Sequence, residues 1–126
     1  MAAPRIAPET DSAVVLTRLF IEALNARDVD GLAHLVSDDV EFRNPAGGRS
    51  LRGREALERI VRAAKEARVR LVRRDGEDVS VDDGVVRVRV PLIEMVGGSE
   101  VDATAVFDVR DERISAFEVS SELLRR

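Results

Sequence analysis

Residues 85–121, VVRVRVPLIEMVGGSEVDATAVFDVRDERISAFEVSS, carry the clearest periodicity in the chain. Val86, Val88, Val90, Leu92, Glu94 and Val96 alternate with Arg87, Arg89, Pro91, Ile93 and Met95, the mark of a strand with two unlike faces. Gly97-Gly98 turns the chain. Val101, Ala103, Ala105, Phe107 and Val109 then form a second apolar face, opposite Asp102, Thr104, Val106 and Asp108. Asp111-Glu112 turns it again, and a last strand runs from Arg113 to about Ser121. Three such strands in succession predict an antiparallel meander.

Upstream, Val69 to Val81 alternates too, with Gly76 marking a bulge or bend, and Asp83-Gly84 is a tight-turn signal. The stretch before it is helical. Gly53 to Ala67 places Ala56, Leu57, Ile60, Val61 and Ala64 on one stripe. Val40, Glu41, Phe42 and Arg43 alternate as a strand, and Asn44 continues its buried parity before the Pro45 to Arg52 loop. A short helix places Leu32, Leu35 and Val36 inward and closes at Ser37-Asp38-Asp39. The first helix is capped at Asp11 or Ser12 and runs to about Arg27, with Val15, Leu16, Leu19, Phe20, Ala23 and Leu24 as its stripe. Residues 1–10 read as a flexible leader and residues 11–126 as one domain. Helices gathered ahead of strands mean α+β, in the order ααβαββββ, with a curved antiparallel sheet wrapped over three helices. The concave apolar face of such a sheet is where a small ligand goes.

Composition narrows the function classes. The net charge of −4 argues against a general nucleic-acid binder. No cysteine is present, which removes disulfide and thiolate chemistry, and a single histidine, His34, makes a zinc site improbable. No metal or cofactor is expected. The first residues have no apolar core of a signal peptide and no run is long enough to span a membrane, so a cytoplasmic location is the expectation. All basic residues but Lys65 are arginine, a hint of a GC-rich, bacterial coding genome and not of chemistry.

The segment FIEALNARDVDGLAHLVSDDVEFRNPAGGRSLRGREAL, residues 20–57, resembles the SnoaL-like and ketosteroid isomerase-like proteins of the NTF2-like superfamily. The likeness lies in a helix ending ALNARD, then DGL, DDVEF, a polar residue before Pro45, and Gly-Arg-Glu-Ala opening the next helix. It implies a cone-shaped half barrel and sheet-to-sheet dimers. It also implies a steroid isomerase set of a carboxylate base with tyrosine and protonated aspartic acid donors. The matching positions read Asn44, Phe20 and Ala105 (or Val106 if the hairpin slips), and the chain holds no tyrosine. A general base and an oxyanion donor are each worth about 10²-fold or more, so isomerisation by that route is not expected. A limonene epoxide hydrolase-like set fares no better: its positions read Phe42, Val86, Val88 and Val119.

The expected pocket is lined by Phe20, Leu24, Phe42, Asn44, Val88, Val90, Leu92, Glu94, Ala105, Phe107, Phe117 and Val119. Asn44 and Glu94 are its polar members and the candidate catalytic pair. Asn44 also suits a strand-to-turn cap, and Glu94 also suits a solvated rim. His34 belongs to a helix flank, Ser121 to a strand end, and Gly47-Gly48 to a sharp rim turn without the lysine of a phosphate loop. Arg68, Arg70, Arg73, Arg74, Arg87 and Arg89 lack interleaved aromatics, and Asp102 and Asp108 are placed to pair with them across strands. Pro91, Ile93, Met95, Val106, Ile114 and Ala116 on the same outer face suit a homodimer interface. Three functions remain: a binder of a steroid-, terpenoid- or polyketide-like ligand; an isomerase, cyclase or dehydratase using Glu94 and Asn44; or a dimeric assembly module with a filled cone.

Overall fold

A computed structural model describes residues 8–43 and 50–121. Helix α1 spans Pro8–Asn25 and α2 spans Val29–Ala33. Strand β1 covers Val36–Phe42, β2 Leu51–Arg52, and helix α3 Gly53–Glu66. Strands β3 (Val69–Arg73), β4 (Asp78–Asp82), β5 (Val85–Val96), β6 (Ser99–Arg110) and β7 (Arg113–Ser121) complete the chain. The strands form a curved, unclosed sheet in the order β2-β1-β7-β6-β5-β3, with β4 also on β5. This is the expected α+β cone.

The long hairpins follow the periodicity. Val86, Val88, Val90 and Leu92 on β5 face Val109, Phe107, Ala105 and Ala103 on β6, and all of these side chains are buried. Asp83 and Gly84 both have positive φ, 51° and 77°, the geometry that lets a two-residue turn match the twist of its strands. Gly76, at φ 104°, sits where the predicted single strand divides into β3 and β4. The two halves pair with opposite ends of β5.

Four local expectations change. The sheet is not wholly antiparallel: β1 runs parallel to β7, and β2 adds a short edge. Ser37, Asp38 and Asp39, read as a helix end, lie within β1, where the register slips between Val36 and Glu41. Val36 is buried, and with Leu32 and Leu35 it has the spacing of a helical stripe although the backbone from Val36 on is extended. Ile114, expected on the outer face, belongs to the core. The ladder skips Ser115 between the pairs Asp108–Ala116 and Val109–Ile114, and one extra residue reverses the parity of a strand. On α1, Val15 and Leu19 are exposed, and the buried stripe is Ala13, Thr17, Phe20, Ile21 and Leu24.

The edge of β3 is closed by α1. The Asn25 amide donates from Nδ2 to the Leu71 carbonyl at 2.8 Å, and its Oδ1 accepts from the Leu71 amide at 2.9 Å. Arg27 donates to the Val69 carbonyl. One side chain thereby does what a neighbouring strand would do, and the edge is not left as a template for another chain.

Candidate functional site

The inner face of the sheet changes character along its length. At one end it is filled by rings. Phe20 of α1 lies 5.3 Å from Phe107 and 4.6 Å from Phe117, ring centre to ring centre, and Phe117 lies 4.9 Å from Phe42. Phe20, Phe107 and Phe117 are each about 1% exposed, and Val88, Val90, Leu92 and Ala105 are fully buried. Leu24 joins the same cluster. These expected pocket positions therefore pack against one another and do not stand around an open space.

Towards the Gly97-Gly98 turn the wall loosens. Glu94, Val96, Val101 and Val69 are half-buried, as are Phe42 and Val119 near the ends of β1 and β7. Glu94 keeps the inner parity of β5: it pairs with Leu71 on β3 and with Val101 on β6, and Leu92 and Val96 flank it on its own face. Along the inner rows of β5, β6 and β7, Glu94 is the one ionisable side chain among the described residues. Helix α3 packs across β1, β2 and β3 and contributes Leu57, Val61 and Ala64 to the same core. Glu94 thus has the inner parity read from the alternation and is half-buried, which fits both a pocket position and a solvated rim. Asn44 and the Pro45, Gly47 and Gly48 rim lie outside the described residues, as does the side chain of Ser121.

The donors that the steroid isomerase set needs are absent where they can be checked. Phe20 and Ala105 occupy the donor positions, both buried. Thr17, one turn before Phe20, is buried too, but its hydroxyl donates to the Val14 carbonyl of its own helix at 2.7 Å. Val86, Val88 and Val119 carry no polar group for an epoxide hydrolase set. His34 caps α2 on the exposed side, with Nδ1 2.7 Å from the Asp30 carbonyl oxygen.

On the outer face, charges neutralise one another. Asp108, only 5% exposed, accepts from Arg87 at 2.8 Å and pairs with Arg43 at 3.0 Å. Burial pushes its carboxyl up, but the hydrogen bonds from Arg87 and Arg43, joined by their charges, outweigh that and hold the group below the usual carboxylate range. Arg43 also holds Glu41, which takes Arg52 as well. Arg74 reaches Asp102 at 3.2 Å across this face, whereas Arg73, on the inner parity of β3, shares Glu77 with Arg18 of α1. Asp102 and Asp108 thus pair with Arg74 and Arg87, as expected. A polar groove of ≈ 820 Å³ runs beside this network, between Ser37, Asp39, Arg110 and Ala116. Pro91, Ile93, Met95 and Val106 are half-buried on the outer parity of β5 and β6, and Ala116 is buried. Asn25 and Arg27 were not foreseen. Their place in ALNARD gives no local sign that a strand edge lies opposite.

The SnoaL-like domain family model matches residues 17–117. This chain belongs to the SnoaL-like domain family, and its fold is the NTF2-like cone. A proposed SnoaL-like polyketide cyclase from Jannaschia is similar in structure, with a TM-score of 0.71 and 14% identity over 98% of this chain and 94% of that one. An NTF2-like protein of unknown function from Cytophaga hutchinsonii gives 0.64 and 16% identity over 97% and 95%. An LEH-like epoxide hydrolase from Mycobacterium tuberculosis gives 0.65 and 23% identity over 92% and 86%. At these identities the likeness is one of fold. No match was found among curated proteins. No helix among the described residues is long and apolar enough to cross a membrane.

Proposed function

We propose that the protein binds a small hydrophobic molecule, steroid-, terpenoid- or polyketide-like, at the loosely packed end of the cone. The observation that carries this reading is the inner wall itself. Apolar rows converge on a half-buried carboxylate at one end, while the other end is already filled by rings. Small-molecule sites have this make-up of apolar walls with one or a few polar groups. Structural similarity to a proposed polyketide cyclase and an epoxide hydrolase supports a ligand over a purely structural cone. Covering a ten-carbon body would contribute several kcal/mol at about 0.8 kcal/mol per CH₂. A thermal-shift screen with steroids, terpenoids and aromatic polyketides tests it. A ligand at 100 times its Kd adds about 2.7 kcal/mol, a rise of several degrees for a domain of this size. No shift from any of the three classes sinks the reading.

A second reading uses the same residue. Glu94, opposite Leu71 and Val101 in the ladders and beside Leu92 on its own face, would be the base of a proton-transferring isomerase, cyclase or dehydratase. Its proposed partner, Asn44, lies outside the described residues. Turnover that vanishes in Glu94→Gln while binding persists would favour the enzyme. The outer face fits a homodimer in both readings. Pro91, Ile93, Met95 and Val106 supply the apolar strip, and the flanking charges of both signs suit a twofold, self-complementary contact. Sedimentation at micromolar concentration checks it, and a strict monomer excludes it.

A further inference from the structure

The polar groove of ≈ 820 Å³ beside the Asp108 network is divided by charge. On its β1 side stand Asp38 and Asp39, both exposed and both without an arginine partner among the described residues. Glu41, the remaining carboxylate of β1, is taken by Arg43 and Arg52. On the other side stand Arg110 and Arg113, exposed and directly opposite one another across the β6–β7 hairpin. Like charges so placed repel. Arg110 has no partner among the described residues, and Arg113 donates to the His34 carbonyl at 3.2 Å but meets no carboxylate there. Of the two acids in the turn between them, Asp111 lines this groove without pairing, and Glu112 lines a separate groove beside Ser12 and Gly84. The charges between the walls, Arg43 and Asp108, neutralise one another. One wall is therefore net negative and the other net positive. A single ion of either sign is attracted by one wall and repelled by the other. The arrangement is instead complementary to itself. A twofold axis through the groove, perpendicular to the sheet, lays the acidic wall of each copy on the basic wall of the other. The groove also continues the proposed dimer face, because Val106, Asp108 and Arg110 share one outer row of β6. We propose that a second copy of this chain docks over the groove, with Asp38 and Asp39 of one copy against Arg110 and Arg113 of the partner subunit. The inference rests on the homodimer reading above and adds to it where the axis passes and what force selects the partner.

The test is an exchange of charge. One variant carries Arg110→Asp with Arg113→Asp, and a second carries Asp38→Arg with Asp39→Arg. In either variant alone both symmetric contacts turn repulsive, and the dimer Kd in sedimentation equilibrium should rise by about 10-fold or more. In a mixture, the intact acids of the first variant meet the intact arginines of the second on one side of the axis. The new aspartates meet the new arginines on the other side. The heterodimer should therefore form with about the wild-type affinity, and native mass spectrometry of the mixture should show it in excess over both homodimers. Raising the salt from about 0.1 M to about 1 M shortens the screening length from about 10 Å to about 3 Å, so the wild-type dimer should weaken by about 10-fold. A dimer joined by the apolar strip alone would not weaken. Circular dichroism and thermal unfolding establish that the variants fold. Arg113 also holds the His34 carbonyl, so if the first variant does not fold, Arg110→Asp alone takes its place in the same exchange. A dimer indifferent to salt and to both variants, or a mixture with no preference for the heterodimer, overturns the inference and leaves the homodimer reading on the apolar strip. A wild type that is strictly monomeric at micromolar concentration overturns both.

Discussion

The two ends of the cone share the strands β5, β6 and β7 but differ in what faces inward. At the closed end, phenylalanines from α1, β6 and β7 meet at ring distances of 4.6–6.2 Å. At the loose end, valines and Glu94 hold the same parity and are only half-buried. Ring packing adds about 0.5–1.5 kcal/mol per pair beyond the area covered. A half-buried valine adds little, and a half-buried carboxylate carries a desolvation cost. The closed end is therefore where stability resides. The loose end is the part of the inner wall where the proposed ligand would sit. Stability and binding should then separate by position, and substitutions can break or sharpen that division.

Phe117→Ala should have the largest effect. Phe117 touches Phe20, Phe42 and Phe107, so its loss should cost about 3–5 kcal/mol in denaturant unfolding. A cost below about 1 kcal/mol would mean that the rings are not the centre of the fold. Asp108→Ala should cost about 1–3 kcal/mol, less than a fully buried pair because Arg43 and Arg87 keep access to water. Its pH dependence has a defined sign. The folded Asp108 carboxyl is held below its ordinary value. Its contribution is therefore present above about pH 4 and fades as pH falls through the folded value. The gap in stability between wild type and Asp108→Asn should narrow in acid, and a gap that widens would contradict the pairing.

Asn25→Ala removes both bonds to Leu71 and should cost about 1–2 kcal/mol. It also bares the β3 edge, so faster exchange of the Leu71 amide proton is expected, and unchanged exchange would deny the clasp. Val119→Ala should be the mildest, about 1 kcal/mol or less, because the side chain is half-buried. If the loose end is the site, it should still weaken ligand binding while Phe117→Ala acts mainly on stability.

Much of this was legible in the sequence because it is local. Strict alternation in residues 85–109 gave the long hairpin, the inner parity of Glu94 and the pairing of Arg87 with Asp108. What escaped depends on partners distant in sequence. The parallel pairing of β1 with β7 has no local signature, and the start of β1 looks helical because Leu32, Leu35 and Val36 have helical spacing. The skipped Ser115 moved Ile114 to the core, as a one-residue slip must. The sequence marked Phe20, Val88, Val90 and Phe107 as inward-facing. Whether inward-facing residues line a space or fill it depends on how far the rings reach across the cone, which parity does not encode.

The most direct test is a methyl NMR titration of valine- and leucine-labelled protein with the best ligand from the thermal-shift screen. The account predicts that the methyls of Val69, Val96, Val101 and Val119 shift and show contacts to the ligand, while those of Val88 and Val90, fully buried among the rings, hold their positions. Ligand contacts at Val88 and Val90, with Val96 and Val101 unmoved, would place the site at the closed end and contradict the division on which the account rests.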